Sequence, residues 1–436
     1  MCLMRPYNLF EVTTVSHPGE ILVKWPRRIL WVIAIVLLLG VLITGCGGQA
    51  TPTTEPRTVQ FLIYELPAGL VVSYRRLAEE FHAAHPELSV EVKAVSGSAS
   101  LRSALDTGTD VVLSWSWALN EVGELRPFDP FLETEPSGFL QDYLPPALDA
   151  VHYQGQIIAL PADLDVLVLY FNKDLFDQAS IPYPAPGWTW NDFVTLAQSV
   201  TRPLADGAMQ YGFYPSNALP AYLPFVAQEM AALWGDDLLN PQALRLDSEP
   251  VVRAIQWYTD LVLVHRVMPT PAEAHRQTAD PIALGRAPMW LGWVSERGGR
   301  LSTVEWKFRW GAVPLPKGST DRTISIMATY AIPISSSQPE NAWRWIRFLA
   351  DHFEQNSGLP ARQSLLRDAR LRQSLGDEQA DVFLQAVREG ILASPTPQFE
   401  IYAAALDQAV RDILERGQPV EEALRNAQRR VEAAGG

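Results

Sequence analysis

The 436-residue chain is poor in cysteine, histidine and basic charge. Its two cysteines, Cys2 and Cys46, are too few for a disulfide framework or a cysteine-ligated zinc site. Its seven histidines (17, 82, 85, 152, 265, 275 and 352) show no metal-ligand spacing, and His82 and His85 suit surface or capping roles on a helix. Lys and Arg total 35 against 49 Asp and Glu, a net charge of −14. That excess of acid argues against nucleic acid as the partner, because phosphates need basic patches, and it suits a surface that stays monomeric. HExxH, GxSxG, the P-loop and GxGxxG are all missing, so the reading assigns no metal, cofactor or catalytic residue. No internal repeat is found. With 47% apolar and 19% charged residues, the chain is expected to fold, and its length suits more than one domain-sized unit.

The first 57 residues read as an address. Ile29 to Ile43 is apolar apart from Gly40, with Lys24, Arg27 and Arg28 before it and Thr44-Gly45-Cys46 after it. Basic, apolar, small is the order of a secretory signal, and the run is short of the roughly 20 residues a membrane span needs. An uncleaved anchor helix is the alternative. Residues 1–22 are mixed in polarity, so two starts fit the sequence, Met1 and Val23. Gly47 to Arg57 is rich in Gly, Thr and Pro and reads as a flexible tether.

Beyond the tether, Thr58 to Tyr64 predicts a strand. Leu70, Tyr74, Leu77 and Phe81 recur at helical spacing up to Pro86. Leu88, Val90, Val92 and Ala94 alternate like a strand, a short helix falls near Leu101–Leu105, and Asp110 to Leu113 is a third strand. This β-α-β-α-β order predicts a parallel, doubly wound α/β sheet, whose ligands sit beyond the C-terminal strand ends. Those ends are Tyr64-Glu65, Ser96-Gly97-Ser98 and Ser114-Trp115-Ser116-Trp117. They bring polar and aromatic groups to one rim, although each tryptophan could instead plug the edge of the sheet. Ile157 to Asn172 is a long extended run, too long for one small sheet, with Asp163 and Asp165 two apart and so on one side. Thr189 and Asp192 form a capping pair, and Ala342, Trp345, Ile346 and Leu349 share one helical face. Of the 14 tryptophans, Trp190, Trp257, Trp343 and Trp345 suit the core, and Trp234 is undecided.

From Tyr153 to Asn191 the chain resembles the extracellular solute-binding proteins of ABC importers, in the group that includes maltose-binding proteins. The residues that carry the likeness are Gly155, Leu160-Pro161, Tyr170, Asn172-Lys173-Asp174-Leu175-Phe176 and Thr189-Trp190. Later pieces follow in the family's order: Leu284 to Met289 with Gly292-Trp293, Trp310 to Pro316, Tyr330 to Pro333, Pro339 to Trp343, and Leu359 to Arg362. Pro288 departs from the usual small residue, and the doubled Trp115 and Trp117 leave the ligand type open. Upstream, Leu42-Ile43-Thr44-Gly45-Cys46 resembles the lipobox of bacterial lipoproteins, which implies lipid on Cys46, removal of residues 1–45 and attachment to a membrane surface.

The resemblance implies a two-lobed periplasmic-binding-protein fold, each lobe a mostly parallel sheet flanked by helices and joined by hinge crossovers. The first lobe would hold 58–164 and 330–388, and the second 165–329 and 389–436. The lobes would close over a ligand and deliver it to an ABC permease. A sugar needs aromatic plates and fixed polar partners. Trp115, Trp117 and Trp293 are the candidate plates, with Tyr330 at the hinge and Tyr214 and Tyr64 as further rings. Asp163, Asp165 and Glu65 are the candidate hydroxyl acceptors, and Arg362 the donor. The plain alternatives are a solvated strand-end pair for the two aspartates and a turn-tying salt bridge for Arg362. A glycerol phosphodiester is the alternative ligand. A non-transport surface sensor and a secreted glycosidase are the alternative functions, since two carboxylates at this spacing approach the ~5–5.5 Å of a retaining pair.

Overall fold

The computed structural model describes residues 56–434, apart from 66–68, 96–100, 106–107, 120–124, 216–219, 235–244, 278, 300–304 and 393–396. The leader, the tether and Cys46 lie outside the described residues. Strands are numbered here in chain order: β1 (Arg57–Tyr64), β2 (Leu88–Val95), β3 (Val111–Trp115), β4 (Leu160–Asn172), β5 (Phe213–Tyr214), β6 (Met289–Trp293), β7 (Trp310–Val313), β8 (Thr323–Ala331), β9 (Leu359–Pro360) and β10 (Gly390–Leu392).

The first half forms as the hydrophobic spacing requires. β1 pairs in parallel with β2 and with β3. The helix Gly69–Ala84 buries Leu70, Val71, Tyr74, Leu77, Ala78 and Phe81. The helix Pro339–Leu349 buries Ala342, Trp343, Trp345, Ile346 and Leu349. In the second half, Thr189 and Asp192 complete a reciprocal capping box that starts the helix Trp190–Val200.

The ten strands form one sheet in the order β2-β1-β3-β8-β4-β6-β5, with β7 and β9 also paired to β4 and β10 to β8. Two strands are shared by both halves. β8 pairs with β10 over Thr323–Ser325 and with β3 over Ala328–Ala331. β4 pairs with β8 and β9 near Asp163 and Leu164, then with β6 and β7 from Leu167 to Asn172. Where mostly parallel pairing was expected, the second half is mixed. β4 enters it running away from the junction, whereas β6 runs back toward it and ends at Trp293 opposite Leu167.

The alternation of β4 explains how one strand serves two cores. Leu164, Val166, Val168 and Tyr170 lie in a core that includes β1 and the helices Gly69–Ala84, Pro339–Leu349 and Asp377–Glu389. Leu167, Leu169 and Phe171 lie in a second core with the helices Trp190–Val200, Glu249–Leu263, Pro397–Arg416 and Val420–Ala433. Successive side chains of a strand point to opposite faces, so a run apolar at nearly every position is buried on both.

Candidate functional site

The parallel first half brings the ends of β1 and β3 to one edge. β1 stops at Tyr64 because Glu65 adopts a left-handed backbone, φ 53°, and its N–H donates to the Val95 carbonyl at 2.9 Å. The Glu65 side chain is exposed. Tyr64 lies beneath the rim, packed with Leu101, Val112 and Ala118. Trp115 ends β3 opposite Ala328 of the shared strand β8, half-buried and touching both cores. Ser96 to Ser98 and the Trp117 side chain lie outside the described residues.

The second half contributes Trp293, at the end of β6 and only 6% exposed. Its main chain is held from both sides: its N–H donates to Glu296 Oε2 at 2.9 Å, and its carbonyl accepts from the Tyr170 hydroxyl at 2.9 Å. The preceding Gly292 is needed for this approach. A Cβ there would sit 2.8 Å from Glu296 Oε2 and 2.9 Å from the Tyr170 ring. Burial holds the Glu296 carboxyl above its usual range. Tyr214 is 5% exposed; its hydroxyl donates toward the Met209 carbonyl at 3.5 Å and accepts from Tyr211 N–H at 3.3 Å.

At the junction itself, β4 carries the two aspartates, and both are bonded within the protein. Asp163, 5% exposed, accepts from Ser357 N–H and Oγ at 2.8 Å and from Gly358 N–H at 3.1 Å. Asp165, 3% exposed, accepts from Ser295 N–H at 3.0 Å. The two carboxylates therefore face different partners: Asp163 holds the segment leading to β9, and Asp165 holds the turn after β6. Burial pushes both carboxyls up, Asp165 to about 7, against the opposing pull of these hydrogen bonds. Where sugar hydroxyls were expected, the structure gives them main-chain amides.

Two further candidates are also engaged. Tyr330 is fully buried in β8 and shares a 3.0 Å hydrogen bond with the Tyr74 hydroxyl, so it belongs to the first core. Arg362 donates Nε to Asp142 at 2.8 Å and Nη1 to the Ala350 carbonyl at 2.8 Å and to Asp351 at 2.5 Å. That is the turn-tying arrangement. The structure thus gathers Trp115, Trp293 and Asp165 around the shared strands, with Glu65 on the first-half rim, and sets Arg362 and Tyr330 in bonded structural positions.

Sequence reasoning passed over Ser295, Glu296 and Arg297 on the turn after β6, and Ser357 and Gly358. The signal available was the string Trp293 to Gly299, where a strand ends in Ser, Glu and Arg before two glycines. Gly298 and Gly299 take φ of 67° and 77°, which turn the chain sharply. Among the described residues no group of three His, Cys, Asp or Glu could hold a metal ion, and no helix is long and apolar enough to cross a membrane.

The profile of a family described as bacterial extracellular solute-binding protein matches residues 68–355. A maltotriose-binding protein of Pyrococcus abyssi is 21% identical over 78% of this chain and 74% of its own. Among solved structures, an ABC substrate-binding protein of Listeria monocytogenes in complex with cycloalternan superposes with a TM-score of 0.72 at 18% identity, covering 88% of this chain and all of the other. The UgpB protein of Mycobacterium tuberculosis, in complex with glycerophosphocholine, gives 0.69 at 21% identity, with coverage of 87% and 98%. The two-lobed fold of these proteins matches the two halves built on β4 and β8, and the chain belongs to the bacterial extracellular solute-binding protein family.

Proposed function

We propose that this protein is the extracytoplasmic binding subunit of an ABC importer, lipid-anchored through Cys46, which captures a mono- or oligosaccharide between its two lobes and delivers it to the permease unchanged. The observation that supports this most is the pair of strands, β4 and β8, each paired with strands of both halves, with Trp115 and Trp293 at the strand ends beside them. Two halves that share long strands can rotate about them, and a ligand favours closure when both halves touch it. On this reading the lobes are 58–164 with 330–388, and 165–329 with 389–436. Trp115 is the ring from the first lobe and Trp293 the ring from the second, with Glu65 as the exposed hydroxyl acceptor.

A glycerol phosphodiester is the second reading, favoured by the fold shared with the glycerophosphocholine-bound protein. The exposed carboxylate at the rim, Glu65, suits a hydroxyl better than a phosphate. A thermal-shift screen of residues 58–436 with maltose, maltotriose, mannobiose and glycerophosphocholine separates the two. A ligand present at 100 times its dissociation constant stabilises by about 2.7 kcal/mol. Stabilisation by a sugar supports the first reading; stabilisation by glycerophosphocholine alone replaces it with the second. Release of reducing ends from an oligosaccharide would instead reveal a glycosidase.

A further inference from the structure

We propose that Arg297 is a positioning residue that sets the angle between the two lobes by bonding across the junction. It sits on the turn after β6, in the second half, and the residue is 8% exposed. Nη1 donates to the Val294 carbonyl of its own turn at 2.9 Å and to the Ser357 carbonyl at 3.1 Å. Ser357 belongs to the other half, in the segment that leads into β9.

Both ends of this link are anchored on the shared strand. Asp163 takes three donors from Ser357 and Gly358, and Asn356 Nδ2 donates to the Ala162 carbonyl at 3.2 Å. A Cβ on Gly358 would lie 2.2 Å from the Leu164 carbonyl, so this segment lies flat against β4. Two residues along the strand, Asp165 accepts from Ser295 and fixes the turn that carries Arg297. One strand thus offers one carboxyl to each half, and the guanidinium joins the two anchored segments.

A guanidinium suits this task. Its fork reaches two carbonyls at once, and it stays charged when buried. Hydrogen bonds from a charged donor are also stronger than neutral ones, so the link biases one interlobe angle over others. The positive charge offsets part of the burial cost of the Asp163 carboxylate. The inference rests on the capture reading for its consequence, since the lobe angle acts on affinity through closure, but the link itself needs no ligand.

The test is an interlobe distance measured without sugar. Spin labels at Glu91→Cys on β2 and Gln256→Cys on the helix Glu249–Leu263, in the full chain carrying Cys2→Ser and Cys46→Ser, report the separation by pulsed electron resonance. Arg297→Met is expected to move and broaden the distance distribution, and Arg297→Lys, with a single ammonium, to give an intermediate one. Ser357→Ala removes one Asp163 bond and is expected to shift the distribution less, in the same direction. A folded Arg297→Met whose distribution matches the parent overturns the proposal. If Arg297→Met does not fold, unchanged distributions in both Arg297→Lys and Ser357→Ala overturn it. A sugar screen without a hit bears on the capture reading alone and leaves this measurement intact.

Discussion

The two halves meet at the junction with unequal surfaces. On the first-half rim, Glu65 is exposed and Trp115 is half-buried. From the second half, Trp293 and Tyr214 are 6% and 5% exposed and packed into cores. The same residue type therefore carries different burdens on the two sides. Trp115 can be changed at modest cost to the fold, whereas Trp293 is packed into the second core and, on the proposed function, also serves the site. The comparison also explains why the turn after β6 is so heavily bonded: Glu296, Tyr170 and Asp165 fix a strand end that an indole alone would leave loose.

The largest expected difference is in stability. Trp293→Ala should cost about 3–5 kcal/mol, the range for emptying a large core site. Trp115→Ala should cost less than half of that. Urea denaturation of both variants measures the contrast, and equal losses would erase the distinction between the two rims.

Next in size is a pH effect at the junction. The Asp165 carboxyl holds its proton up to about 7 when folded, against an ordinary value of 3.8. Between those values the folded state binds more protons than the unfolded state, so this group makes stability fall as pH rises from about 4 to 7. Asp163 and Glu296 are raised by the same burial and act with the same sign. Asp165→Asn should flatten the fall, read as the difference in denaturation midpoint between pH 4.5 and pH 7.5. A slope equal to wild type would show that Asp165 is ionised throughout.

A smaller effect is expected at Arg362, whose ion pairs with Asp142 and Asp351 are partly exposed. Arg362→Met should lose about 1–2 kcal/mol of stability. A wild-type denaturation midpoint would mean that these pairs contribute nothing to the fold.

The first half was the more legible in sequence because its contacts are local. Leu70, Tyr74, Leu77 and Phe81 announce a helix by spacing, and the three parallel strand ends follow from the β-α-β order. The site was less legible because its decisive partners are distant along the chain. Asp163 meets Ser357 across 194 residues, and Tyr74 meets Tyr330 across 256. A lone carboxylate in a strand looks alike whether it awaits a ligand hydroxyl or a turn's amides. For Arg362 the sequence left both a ligand donor and a salt bridge open, and only the fold brings Asp142 and Asp351 beside it. The mixed pairing of the second half was hidden for a related reason: strand direction there depends on where β4 enters from the junction.

Closure of the lobes around an unaltered guest is the account's central claim. Small-angle X-ray scattering on the chain with and without a saturating sugar from the thermal-shift screen tests it most directly. The radius of gyration should shrink on addition, and the sugar should be recovered chemically intact. An unchanged radius with the sugar demonstrably bound, or a sugar returned in pieces, would contradict it.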